Sequence, residues 1–287
     1  MSTEITQFIK ECEICLLLSK RNPPLPLCSR DLPEGPWQMV QIDFLALPGV
    51  GSGEFLMVSD TYSRYLFVTE MKMMDADTTN SALNEIFRMW GYPAIIQSDN
   101  GPPFQSKNFI SYWTNRGVQI RKSVPLSPQS NGTIERQNQG VIKAVSASKL
   151  EGKNCRYTLE QYVHRHNTLI PHSRLNVTPF ELMVGRKYYG NFPSLWGMRE
   201  PEELDREEVQ ERDAEAKLIS KQYADRVRGA KESSIAVGQK VLMAQPKRSK
   251  TDPTYSSERF QVVARKGGEG CRYEQNRCSI FKERSRF

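Results

Sequence analysis

The chain has 287 residues, 38% apolar and 25% charged, with a formal net charge of +7 at pH 7. That size suits one sizeable core with one or two small modules. No apolar run approaches the roughly 20 residues needed to span a bilayer, and the first residues lack the basic-then-apolar layout of a secretory signal. The six cysteines are scattered rather than framed and read better as reduced intracellular thiols than as a disulfide framework. The charge is uneven. Residues 230–287 hold 13 Lys/Arg against 6 Asp/Glu, a balance of +7, so the first 229 residues sum to zero. A basic C-terminal region beside a neutral body suits an acidic polymer as partner, and equally a soluble, well-charged surface domain.

In chain order, residues 1–33 carry a CxxC (Cys12, Cys15) and then the Pro-rich NPPLPLCSRDLP, a linker by composition. Residues 38–47, 54–60 and 65–71 are strand-like, and the short turn-rich segments between them predict an antiparallel meander. Within 78–90 the apolar residues Leu83, Ile86, Phe87 and Trp90 recur at helical spacing, followed by Gly91 and Pro93. Then come a short strand at 94–98, a helix at 106–116, a strand at 118–123 and a loop at 124–132. A long helix is predicted at 133–150 and another at 157–168. Thr178-Pro-Phe-Glu181 reads as a capping box that opens a last short helix. The order βββ-α-β-α-β-α-α predicts an α/β domain, a mixed sheet with helices on both faces. Residues 199–228, acidic first and basic later, suit a solvated linker helix. Residues 235–287 turn strand-like again and suggest a small SH3-like β-barrel.

Two acids stand where strand chemistry does not ask for them. Asp43 lies inside the first strand, between Ile42 and Phe44, and burying an uncompensated carboxylate is costly. Asp99 ends the fourth strand and opens the turn Asn100-Gly-Pro-Pro, at the kind of strand tip where α/β proteins bind ligands. Glu135 sits in the first turn of the long helix. Three such carboxylates are hard oxygen donors suited to Mg²⁺ or Mn²⁺. On that helix Gln139 lies about 40° from Glu135, while Arg136 and Lys143 are candidate phosphate contacts. Asn131 precedes the helix. Lys247, Arg248 and Lys250 in the basic C-terminal region suit backbone binding of DNA, and PKRSK (246–250) also fits a nuclear import signal.

Asp99 and Glu135 are separated by 35 residues, and QIDF, SDNGPPF and SPQSNGTIERQN together resemble the D,D(35)E signature of retroviral and LTR-retrotransposon integrases. PHSRLNVTPFELMVGR is similar to the segment that follows the core in gypsy-type elements. The resemblance implies an RNase H-like core with a five-stranded mixed sheet. It implies a catalytic triad, Asp43, Asp99 and Glu135, holding two Mg²⁺ (or Mn²⁺) ions for 3′-end processing and DNA strand transfer. Homo-oligomers acting on DNA in the nucleus follow, with no membrane partner. Such integrases place a His pair ahead of the CxxC to complete a zinc site. Only eleven residues precede Cys12 and none is His, so zinc binding by Cys12 and Cys15 is not expected. The expected divisions are a truncated remnant of the zinc-binding module with its linker (1–33), the catalytic core (34–196), a charged linker helix (197–230) and the SH3-like domain (231–287). A catalytically idle relic, or a host-recruited DNA-binding protein on the same fold, is the alternative.

Overall fold

The computed structural model describes residues 2–27, 31–122, 132–189, 204–232, 235–246, 249–266, 270–275 and 278–282. They fall into two compact units. One comprises residues 31–215, the other residues 1–30 and 216–287.

The larger unit is built on a five-stranded sheet. Its strands are β1 (Met39–Ala46), β2 (Glu54–Asp60), β3 (Leu66–Met71), β4 (Ile95–Ser98) and β5 (Gln119–Lys122), in the spatial order β3-β2-β1-β4-β5. The first three form the antiparallel meander. The β1–β4 and β4–β5 pairs are parallel, each closed by a crossover helix. These crossovers are α3 (Ala76–Trp90) and α4 (Lys107–Thr114), followed by α5 (Gly132–Leu150), α6 (Cys155–Thr168) and α7 (Pro179–Val184). This is the RNase H-like mixed sheet with flanking helices anticipated from the element order.

Period-2 alternation sorts the side chains of β1 and β2 onto two faces. Val40, Ile42, Leu56 and Val58 join Leu83, Phe87, Phe109 and Trp113 in the core beneath α3 and α4. Leu45, Phe55 and Met57 join Ile134, Val141, Val145 and Leu159 in the core beneath α5 and α6. Asp43 has the same parity as Leu45, so its carboxylate belongs to the α5 side. Each fully buried Leu, Ile or Phe contributes about 1.5–3 kcal/mol, which makes a one-residue slip of β1 prohibitive because it would exchange these two sets.

The helix ends are set by local chemistry. Asp75 caps α3 by accepting from Thr78 N, and Gly91 follows its last residue with φ +80°. Thr178 and Glu181 form the reciprocal capping box of α7, with Pro179 in its first turn. The charged segment yields α8 (Arg206–Arg228). Its early residue Val209 is buried with Tyr62, Leu175 and Leu182, so this end of the helix belongs to a core rather than to solvent.

In the smaller unit the N-terminal segment is helical, α1 (Ser2–Glu11) and α2 (Glu13–Leu18), a feature not anticipated from the sequence. Strands β6 (Lys240–Ala244), β7 (Tyr255–Lys266), β8 (Gly270–Gln275) and β9 (Cys278–Lys282) pair antiparallel in sequence order. Among the described residues the pairing ends at that meander, with β6 and β9 outermost. Phe260 and Val262 of β7 are buried. Thr254 N donates to Leu17 O, and Arg259 pairs with Glu13 at 3.1 Å, which ties α2 to this sheet.

Candidate active site

The parallel β1–β4 register sets Met39 opposite Ile95 and Gln41 opposite Gln97. Carried two residues further, it brings Asp43 level with Asp99, just past the end of β4. Here the parallel half of the sheet opens at its carboxyl edge, where α/β folds gather ligands.

Asp43 is half-buried and doubly held: Phe44 N donates to its Oδ1 at 2.9 Å, and Asn138 Nδ2 donates to its Oδ2 at 2.9 Å. Burial, the Asp99 charge and, more weakly, Glu135 push its pKa up to about 6, against the two hydrogen bonds that lower it. Asp99 is held by a tight turn in which Gly101 N donates to its Oδ1 at 2.9 Å. A Cβ at position 101 would stand 3.1 Å from that oxygen, so glycine leaves the carboxylate its room. Phe44 stacks on Phe104 with ring centroids 5.0 Å apart, joining the strand beside Asp43 to the loop that follows Asp99.

Glu135 is placed by the helix that bears it. The buried stripe of α5 is Ile134, Gln137, Asn138, Val141, Val145 and Ser148, recurring at three- and four-residue steps. Glu135 falls just off that stripe and is exposed, as are Arg136, Gln139 and Lys143. Gln139 shares the Glu135 side at i+4, and Lys143 shares the Arg136 side at i+7. All four thus lie on a surface that a polyanion can reach. Of the other candidates, Lys250 is exposed, while Asn131, Lys247 and Arg248 lie outside the described residues.

Among the described residues no three His, Cys, Asp or Glu side chains stand close enough to hold a metal ion as placed. The charge arrangement is nevertheless one that a cation relieves: burial first, then the Asp99 charge and, least, that of Glu135 raise the Asp43 pKa. The donor set, all carboxylate oxygen, fits a hard divalent ion such as Mg²⁺ or Mn²⁺. Cys12 and Cys15 lie at the start of α2, the first half-buried and the second exposed. The Cys15 backbone N–H and, second, the Cys15 thiol lower the Cys12 pKa, and the same thiol contact raises that of Cys15.

Several site residues carry no signature of their own type. Asn138 is one, although its i+3 spacing from Glu135 places it on the sheet side of the same helix. Gln41 is another, two residues before Asp43 on the same face of β1, where its Oε1 accepts from Ile134 N at 3.3 Å. Arg64, in the β2–β3 turn, is buried at 7% exposure and donates from Nη1 to Thr133 Oγ1 at 3.0 Å. Asp60, a strand-tip acid like Asp99, has a different role: it accepts from Trp37 N, Ser63 N and Ser63 Oγ at 2.6–2.9 Å and anchors that turn. Of the histidines, His164 is exposed against Tyr188, and His166 and His172 pack inward with pKa values lowered by burial.

Comparison with known proteins bears on the family and the fold. Two family profiles, both described as integrase core domain, match residues 33–128 and 116–179. The uncharacterized protein K02A2.6 of Caenorhabditis elegans is 32% identical over 189 residues, covering 65% of this chain and 15% of that protein. The transposon Tf2-3 polyprotein of Schizosaccharomyces pombe is 27% identical over 186 residues, covering 63% of this chain and 14% of the polyprotein. The chain therefore spans about 15% of the length of these curated relatives. The solved simian T-cell lymphotropic virus intasome, in complex with PP2A regulatory subunit B56 gamma, superposes with a TM-score of 0.62 at 14% identity. It covers 97% of this chain and 87% of that one, a likeness of fold alone.

Proposed function

We propose that this chain, an integrase-like protein of the retroviral and LTR-retrotransposon kind, is a polynucleotidyl transferase that trims DNA 3′ ends and joins them to target DNA. The observation that carries this reading is the parallel β1–β4 register, which, extended by two residues, brings Asp43 level with Asp99 at the carboxyl edge of the sheet. Glu135 lies in the first turn of the helix whose Asn138 holds Asp43.

Asp43, Asp99 and Glu135 would hold the divalent ions. When bound, such ions activate the attacking oxygen and stabilise the leaving one in an in-line phosphoryl displacement. The chain's own residues prepare that chemistry. The Asn138 amide and Phe44 N each occupy one lone pair on a different oxygen of Asp43, and Gly101 N does the same for one oxygen of Asp99. The remaining lone pairs stay available for ligation, and neither carboxylate can swing away. In end trimming, water attacks a phosphodiester. In joining, the new 3′-hydroxyl attacks a target phosphodiester, one P–O bond forms as another breaks, and the number of phosphodiesters is conserved. No external energy source is required.

Arg136, Gln139 and Lys143 on the exposed side of α5 would carry DNA phosphates past Glu135, with Lys247, Arg248 and Lys250 adding sequence-independent contacts. Joining two ends at one target calls for more than one copy of the chain, and chromosomal DNA as target makes the nucleus its place of work.

The test is incubation of the purified chain with duplexes bearing LTR-type ends, in Mg²⁺ or Mn²⁺. Nicking and strand transfer are expected, with a loss of about a hundredfold or more in Asp99→Asn. Absence of turnover by the wild type, with DNA binding unaffected by alanine at all three carboxylates, would instead identify a DNA-binding protein on the same fold.

A further inference from the structure

On the sheet side of α5, behind Glu135, lies a buried polar cluster that the proposed chemistry leaves unused. Its centre is Arg64. A guanidinium at 7% exposure is unusual, since burial disfavours its charge; burial lowers its pKa, and the Asp213 and Asp60 charges sustain it. Arg64 also adopts φ +67°, a left-handed conformation uncommon for any residue with a side chain. Such a position persists only where its surroundings over-determine it.

The contacts of Arg64 converge on the first turns of α5. Its Nη1 donates to Thr133 Oγ1 at 3.0 Å, and its carbonyl accepts from Gln137 Nε2 at 2.8 Å. His166 Nε2 of α6 stands 3.2 Å from the same carbonyl. The next residue along the helix, Ile134, donates its N–H to Gln41 of β1. A helix start has four backbone N–H groups without intrahelical partners, and Gln41 receives one of them. Residues 133, 134 and 137 are therefore anchored to β1 and to the β2–β3 turn, and all three flank Glu135. Residue 138, one position further, holds Asp43.

We propose that the Arg64–Thr133 contact is a positioning clamp that fixes the first turn of α5 and, through it, the placement of the Glu135 carboxylate relative to Asp43. The inference rests on the strand-transfer reading given above. Arginine suits the role because its planar fork donates in fixed directions, whereas a lysine ammonium does not. A reacting group displaced by about 1 Å can slow a reaction by about a hundredfold, so a hydroxyl lost from the far side of the helix has leverage on chemistry it never touches.

The test uses the full chain with Thr133→Val, which removes the hydroxyl at nearly constant shape, Thr133→Ser, which restores it, and Arg64→Lys. Four quantities are measured: strand-transfer kcat and KM for DNA, half-saturating Mn²⁺ from the EPR signal of the free ion, amide hydrogen exchange at residues 133–138, and melting temperature. For Thr133→Val a fall in kcat of about tenfold or more is expected, with KM for DNA within about twofold of wild type. Half-saturating Mn²⁺ should rise about fivefold, and exchange at 133–138 should quicken about tenfold. Thr133→Ser should behave as wild type and Arg64→Lys as Thr133→Val. Wild-type turnover, Mn²⁺ binding and exchange in Thr133→Val would overturn the clamp, as would activity lost only in proportion to the unfolded fraction. If Arg64→Lys does not fold, Thr133→Val decides alone. A wild type inert on every DNA end refutes the strand-transfer reading by itself, because exchange and Mn²⁺ binding still score the clamp.

Discussion

Asn138 Nδ2 donates to Asp43 Oδ2 at 2.9 Å, so the helix that carries Glu135 also holds the strand carboxylate it faces. This one contact joins β1 and α5, two elements about ninety residues apart in sequence, at the point where the proposed chemistry occurs. It opposes the burial and like charge that push Asp43 up to about 6.

Replacing Asn138 by Leu removes a donor that favours ionised Asp43, so the Asp43 pKa should rise further. Ligation of a divalent ion requires the ionised form. The acid limb of the pH dependence of kcat/KM should therefore move to higher pH, with turnover near pH 7 down about tenfold. An unchanged acid limb in a well-folded variant would count against Asn138 as the residue that positions Asp43.

Asp43→Asn should be more stable than the wild type at neutral pH. The folded pKa of Asp43 lies above its ordinary value of 3.8, so stability is fullest below pH 3.8. It declines as pH rises toward about 6, and the penalty persists above that. Removing the charge should recover about 1–2 kcal/mol at pH 7, after allowance for solvent screening of a half-exposed group. Urea unfolding at pH 7 and pH 4 checks this: the advantage of the variant should be present at the first pH and largely gone at the second.

Gly140 lies where α5 passes under α6. A Cβ at this position would stand 2.1 Å from the Tyr162 hydroxyl and 3.2 Å from the ring carbon that bears it. Alanine would ordinarily strengthen a helix by about 1 kcal/mol, but here overpacking should reverse the sign, with a net loss of about 1–3 kcal/mol. Tyr162→Phe in the same chain should restore part of that loss. A double-mutant cycle read from denaturation midpoints separates the clash from propensity.

His172 is half-buried and held neutral, its pKa lowered to about 4 by burial and by Arg64, Arg174 and His166, against the pull of Asp213. A depressed histidine pKa means stability that is full above about 6.5 and is lost as pH falls toward 4, by at most about 3 kcal/mol. Asp43 and Asp60, both with raised pKa values, run the opposite way over part of that range. The difference between wild type and His172→Gln isolates the histidine: wild type should lose more stability between pH 7 and pH 4.5. Equal losses would place its titration elsewhere.

Much of the site was legible in the sequence because its signals are local. Asp43 interrupts an apolar strand, Asp99 ends another before a Gly-Pro turn, and Glu135 opens a helix, so residue type and position mark each as a candidate. The motif resemblance implies that they act as a triad. The mixed sheet follows from the meander and the crossovers for the same reason, while the strand order β3-β2-β1-β4-β5 came from the structure. In residues 1–33 only the CxxC and the Pro-rich linker were legible, and α1 was not anticipated.

What tertiary structure alone decided is which polar residues serve the triad. Asp60 and Asp99 both lie at strand ends, yet the first is consumed by three donors of its own turn, while the second stands level with Asp43. Asn138, Gln41, Arg64 and Thr133 are ordinary surface types by composition, and only the packing of α5 on the sheet makes them buried partners or anchors. Burial and hydrogen-bond direction depend on contacts between distant segments. A sequence can therefore announce the charges of this site, but the fold determines what holds them in place.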